Sequence, residues 1–183
     1  RAYERDTMIL VTRWRTSTGE VEVVDAMPMG DHRADIVRRV RGVSGHVEMH
    51  EELRIRFGYA TAIPWVRKVT GEKPPALVAV AGPDGLVFRG SSLHASDHAH
   101  EGRFTVHAGQ TVDLSMTWFP SHRATPEALD VEDALGRTRA WWTGWAEGCD
   151  HDGPYREEVV RSLLILRALT HFETGGIVAA ATT

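Results

Sequence analysis

One cysteine, Cys149, is all the thiol chemistry that these 183 residues offer. A lone cysteine excludes an intrachain disulfide framework and fits a reducing compartment, so a cytoplasmic location is the expectation. Neither a helix N-terminus nor a clear base accompanies it, and it reads as an ordinary buried or half-buried side chain. No apolar run approaches the ~20 residues needed to cross a bilayer, so no membrane partner is expected. There is no Walker loop and no dinucleotide glycine fingerprint. Ser162 lies in a helical stretch, without the G-x-S-x-G turn that exposes a nucleophilic serine. Neither charge sign dominates: 21 Lys and Arg stand against 25 Asp and Glu, interspersed, for a net charge of −4. That balance argues against a dedicated nucleic-acid surface. No secretory signal is visible, and because Arg1 opens inside a strand-like pattern, further sequence is expected upstream.

What the chain does have, up to about residue 122, is strand patterning. Residues 6–15 are rich in strand formers, and Ser17-Thr18-Gly19 turns them into Glu20–Asp25, a hairpin. Residues 36–43 form a third strand, and Ser44-Gly45 turns the chain into a fourth at 46–57. In that fourth strand Val47, Met49, Leu53, Ile55 and Phe57 alternate with Glu48, His50, Glu52, Arg54 and Arg56, giving one buried face and one wet face. A loop at 58–64 precedes strands at 65–69, 76–81 and 86–89. Residues 90–102 read as a solvated loop, and 103–108 with 111–119 as a hairpin around Gly109-Gln110. Turn signals at roughly ten-residue intervals point to an antiparallel β-sandwich.

The period then changes. Val131, Leu135, Thr138, Trp142 and Trp145 recur at helical spacing, with Asp130 as the cap and Glu132 and Asp133 in the first turn. Helical spacing marks Trp141, Trp142 and Trp145 as packing groups in preference to a sugar-stacking platform, which needs exposed, coplanar rings. A second helix is expected from Pro154, with Glu157 and Glu158 in its first turn and Glu157 four residues before Arg161. The run Leu163-Leu164-Ile165-Leu166 makes it apolar on most sides, more than a helix lying on a sheet requires. Gly175 and Gly176 then end the helix and an apolar extended segment follows.

Candidate chemistry is sparse. His94, His98, His100 and His107, near Asp97 and Glu101, are the only local metal candidates, with His98 and His100 expected on one side of a strand. The carboxylate is misplaced for a cupin-type site, and no metal is expected. Glu48, Glu51, Glu52, Glu157 and Glu158 are carboxylates among many, and nothing singles out a pair for acid–base work. Glu48 and Glu52 read as the wet face of a strand, Glu157 and Glu158 as partners of the helix dipole. No residue is therefore assigned a catalytic role.

The closing run RSLLILRALTHFETGGIVAAATT resembles the entry into the catalytic domain of glycoside hydrolase family 15, the glucoamylase and trehalase-like group. Earlier pieces resemble that family's amino-terminal β-sandwich and linker in the same order: the AYERDT opening, VDAMP, IVRRVRGVSG, LRIRFGYA, PWV, TWFPSH, AWWTGWA and DGPYREEVVRS. Ala181 stands where the family usually has proline. The resemblance implies a β-sandwich of the supersandwich kind over 1–122, lacking its amino-terminal part, a helical linker over 123–153, and the first helix of an α/α toroid over 154–183. It implies an inverting α-glucoside hydrolase that acts without cofactor or metal on trehalose, maltooligosaccharides or dextrin-type glucans. The trehalase-like branch matches the motifs best. The catalytic carboxylates would lie beyond Thr183, so the 183-residue chain is expected to be inactive. Tyr59 and Trp65, on a loop facing the catalytic domain, and Thr182 and Thr183, at its floor, are the implied rim of the substrate pocket.

A rival from another class is a free-standing β-sandwich that binds carbohydrate or a protein partner. It requires residues 155–183 to pack onto the sandwich and leave no large apolar patch. The hydrolase reading expects an exposed strip along Val159, Leu163, Leu166 and Ile177, open to self-association as a homo-oligomer. A metal-dependent cupin-like enzyme would require His98 and His100 as ligands.

Overall fold

The computed structural model describes residues 1–30 and 33–179. The architecture is an antiparallel β-sandwich followed by two helices. Its strands are β1 (Ala2–Tyr3), β2 (Leu10–Arg15), β3 (Gly19–Ala26), β4 (Ala34–Leu53), β5 (Trp65–Val69), β6 (Ala76–Ala81), β7 (Asp84–Arg89), β8 (His94–Ser96), β9 (Ala99–His107) and β10 (Thr111–Pro120). The larger layer runs β1-β2-β3-β4-β10-β7-β6-β5, and the smaller is made from the second half of β4 with β9 and β8.

Two sequence expectations fail at the junction of these layers. Ser44-Gly45 is not a turn: β4 continues through it for 20 residues. Nor do β9 and β10 form a hairpin. Both pair with β4 on the same side, Thr111–Trp118 against 41–34 and His100–His107 against 53–46. Together they form one bent ribbon that leaves the large layer and enters the small one. Glycines permit the bend. Gly45 has φ +59°, and a side chain on Gly42 would collide with the His107 carbonyl. The 108–110 segment is tied to the same bend by Ala108 N–H to Gly45 O and Gly109 N–H to Gly42 O, each 2.9 Å.

Between the layers Val21, Val23 and Val40 of the large sheet pack on Val47 and Val106 of the small one. Leu77, Phe88 and Leu114 continue that core toward Leu93. The expected strand over 6–15 starts only at Leu10, because Asp6 is at φ 55° and Thr7 bonds back to the Glu4 carbonyl. The expected loop at 90–102 contains β8 and the start of β9.

The outer face of the large sheet is covered by α1 (Val131–Glu147). Val131 and Leu135 pack on Ile9, Val24, Ala26 and Val37. As its sequence indicated, Asp130 caps α1, accepting the Asp133 N–H at 3.0 Å. The segment leading to it is strapped across the same face: Arg89 donates to the Pro126 carbonyl at 2.6 Å and Arg33 to that of Glu127 at 3.2 Å. Beneath the strap Asp35, with no exposed side-chain surface, pairs with Arg33 at 2.9 Å and accepts from the Thr117 hydroxyl.

The second helix, α2 (Arg156–Ala168), begins two residues after the expected position, because Tyr155 is left-handed at φ 65°. It packs on α1 through Val160 and Leu164, against Trp142 and Ala146. It ends at Ala168, before Gly175. That glycine instead turns a small loop in which Thr170 bridges Ile177. No helix among the described residues is long and apolar enough to cross a membrane.

Candidate functional site

The loop between β4 and β5 is built for display. Phe57 and Ala62 close it with two backbone bonds of 3.0 and 3.1 Å, and the Thr61 hydroxyl donates to the Gly58 carbonyl at 2.6 Å. Inside it Gly58, Tyr59 and Ala60 all take positive φ, 54°, 56° and 67°. Left-handed backbone at two non-glycine residues is strain that the closed loop sustains. The result is to push Tyr59 outward, 82% exposed, with Trp65 80% exposed at the start of β5. The two arginines before the loop anchor it: Arg56 donates to the His98 carbonyl at 3.1 Å and Arg54 to that of Asp97 at 3.5 Å. A cavity of about 340 Å³ opens beside the loop, lined by Ile63, Pro64, Asp97, His98 and His100.

The histidines do not assemble a metal centre. His98 sits in the β8–β9 turn at φ 56°, not on a strand face with His100. His107 lies at the far end of β9, its ring 5.8 Å from that of His46. Among the described residues no three His, Cys, Asp or Glu groups converge. Burial, and then the charges of Lys68 and His94, hold the His100 pKa below the usual histidine value.

A second concavity, about 250 Å³, lies between the β4 segment of the small layer and the large sheet. Phe88, Leu114 and Met116 floor it, and Met49 and Phe104 wall it. Glu51 lines it too, accepts the Ser91 hydroxyl, and is held above its ordinary carboxylate pKa by burial, opposed by that bond and by Arg38. Arg38 is itself clamped by Asp25 at 2.6 and 3.1 Å. Glu51 is the site residue that sequence reasoning passed over. The signal was its phase: it falls in step with Val47, Met49 and Leu53, the buried row.

Of the other candidate carboxylates, Glu48 and Glu52 have ion-pair partners. Glu48 meets Arg103 at 3.5 Å and Glu52 meets Arg54 at 3.0 Å, both on the wet face of β4. Glu157 and Glu158 stand in the first turn of α2. The tryptophans of α1 form no flat platform. Trp142 is buried, with Trp141 edge-on to it at 89° and beneath Arg167 at 5.4 Å. Thr182 and Thr183, the other two implied rim residues, lie outside the described residues.

No family model matches the chain. Two curated proteins do. This chain is similar to trehalases. It is 28% identical over 208 aligned positions to the trehalase of Mycolicibacterium smegmatis, and 27% identical over 209 to that of Mycobacterium tuberculosis. Both alignments take in 100% of this chain, which spans 31% and 30% of the two trehalases. Among solved structures, a putative kojibiose phosphorylase from the human microbiome matches over 85% of this chain and 22% of its own, with TM-score 0.39 and 9% identity. That likeness is too low to carry an argument. The similarity to trehalases supports a glycoside hydrolase-like grouping.

Proposed function

We propose that these residues are the sandwich and linker of an inverting α-glucoside hydrolase of the family 15 kind, with trehalose as its first candidate substrate. The observation that carries this is the alignment of the whole chain with two trehalases three times its length. In this reading residues 1–122 are the sandwich, 123–153 the linker and 154–183 the entry to a helical catalytic domain. The chemistry belongs to two carboxylates outside these residues, ~6.5–9.5 Å apart, one protonating the glycosidic oxygen and the other activating water. Tyr59 and Trp65, with Thr182 and Thr183, are assigned to the rim of the pocket, where aromatic faces orient the sugar.

Of the expected strip, Leu166 and Ile177 are exposed while Val159 and Leu163 are half-buried; with Ile165, Phe172 and Val178, also exposed on α2 and the segment after it, the two exposed members support this reading over a free-standing binding module. Such a module would bury them on the sandwich. The deciding experiment begins with the intact mass of the native gene product, followed by its assay on trehalose and maltooligosaccharides. A product well above 20.3 kDa that releases β-glucose from trehalose is the expected result. A product near that mass, or glucose release by the 183-residue chain alone, overturns the assignment.

A further inference from the structure

The pairing of β4 changes along its length. Residues 37–45 lie between partners on both sides, β3 on one and β10 or the 108–110 bend on the other. His46 N–H still reaches the Thr18 carbonyl on the β3 side at 3.1 Å, but from Val47 to Leu53 the only backbone pairing among the described residues is with β9, so one edge of the strand is free over seven residues. An edge of that length is a template for another strand.

Beside it the small layer stops short of covering the large one. The 250 Å³ concavity runs under this edge, and Ile36 and Met116, directly paired on β4 and β10, line it. Ile36 is 47% exposed, Trp118 on the same face of β10 is 46% exposed, and Met27 beyond the end of β3 is 66% exposed. These apolar groups form a band where a core would continue if the small layer were one strand wider.

We propose that the Val47–Leu53 edge receives one further antiparallel β-strand from the longer polypeptide, with alternate apolar side chains filling the cleft over Ile36 and Met116. This rests on the proposed function only in supposing that the native protein is longer. Strands in a sheet lie ~4.8 Å apart and stacked sheets ~10 Å, so a strand bonded to this edge lies above that band. The edge also defines what it accepts. Glu51 points inward at the mouth of the cleft beside the Asp25–Arg38 pair. An inward carboxylate rejects indiscriminate strand addition, and the incoming strand must present a hydrogen-bond donor opposite it. On the outer face the strand meets Glu48, His50 and Glu52, which favours basic or neutral polar residues there. The same charges disfavour a second copy of this chain. Antiparallel self-pairing centred on His50 sets Glu48 against Glu52 twice.

Amide hydrogen exchange on the native-length gene product and on the 183-residue chain tests this, with sedimentation of the latter. The expected result is slowing by an order of magnitude or more at alternate amides of Val47–Leu53 in the long protein only, reversed there by Ile36→Arg. Equal exchange in the two proteins overturns the proposal. So does shielding of Met27 and Trp118 from oxidative labelling without amide protection, which means cover by another domain and not by a strand. A dimer of the 183-residue chain with a protected edge assigns the site to a second copy and also overturns it. No substrate enters the measurement, so a long protein inactive on α-glucosides defeats the functional proposal while leaving this one to its own result.

Discussion

Substituting Leu164 by alanine should release α2 from the protein without unfolding the sandwich. Leu164 is 1% exposed, and with Val160, also 1% exposed, it is the buried attachment of α2 to Trp142 and Ala146. Full burial of two such side chains contributes about 1.5–3 kcal/mol each. Arg161 adds a 2.8 Å bond to the Thr7 carbonyl and lies over the Tyr3 ring at 4.6 Å. Against this stands the ordering of a 13-residue helix, which is marginal in water by itself. Leu→Ala at a buried site costs about 2–5 kcal/mol, comparable with the whole attachment. The variant should therefore lose somewhat under half of its helical circular dichroism, since α1 has 17 residues and α2 has 13. Amides of 156–168 should exchange rapidly, while the denaturant midpoint of the β signal stays near that of the parent. Val37→Ala, in the core beneath α1, should instead lower that midpoint. If Leu164→Ala keeps its helix signal and lowers the main transition as Val37→Ala does, α2 is an integral part of the sandwich fold and the reasoning is refuted.

Replacing both Tyr59 and Trp65 with alanine should change stability by no more than about 0.5 kcal/mol, since both are exposed. On the proposed reading, the pair should cost the native-length protein roughly two- to tenfold in kcat/KM, the value of one aromatic contact; unchanged kinetics would remove them from the rim. Asp35→Ala, which leaves Arg33 and Thr117 beneath the strap without their shared carboxylate, should cost about 3–5 kcal/mol in urea denaturation. The Glu51 pKa is raised above 4.5 in the fold, so the native state holds more protons than the unfolded chain above that pH. The stability present below 4.5 is lost as pH rises through the folded value. Glu51→Gln removes this titration, so its stability should fall less between about pH 4 and pH 7, and at pH 7 it should match or exceed the parent. A steeper decline in the variant would contradict the burial argument.

The alternation in 46–53 and the helical spacing from Val131 are local patterns, and local patterns were legible. So was the Asp130 cap, which needs only a side chain and an amide three residues on. The errors arose where a local signal admits two tertiary outcomes. A Ser-Gly pair suits a turn or a bend, and at 44–45 it is a bend because β9 and β10 follow β4 through it. Gly109-Gln110 resembles a hairpin turn for the same reason. The sequence marks Tyr59 and Trp65 as loop aromatics, but the exposure of Tyr59 depends on backbone strain that no residue type announces. The sequence puts His98 and His100 on one face, but His98 lies in the two-residue turn before β9 and only His100 is on the strand.

The sequence alone determined an antiparallel sandwich followed by helices and the similarity to trehalases, because strand period, helix period and motif order are written residue by residue. The tertiary structure decided that one 20-residue strand serves both layers, that Glu51 lies in an apolar cleft beside a free edge, and that α2 hangs from two side chains. Those depend on which distant segments lie against one another. Burial, pKa and edge exposure are properties of such neighbours, and no single stretch of chain contains them.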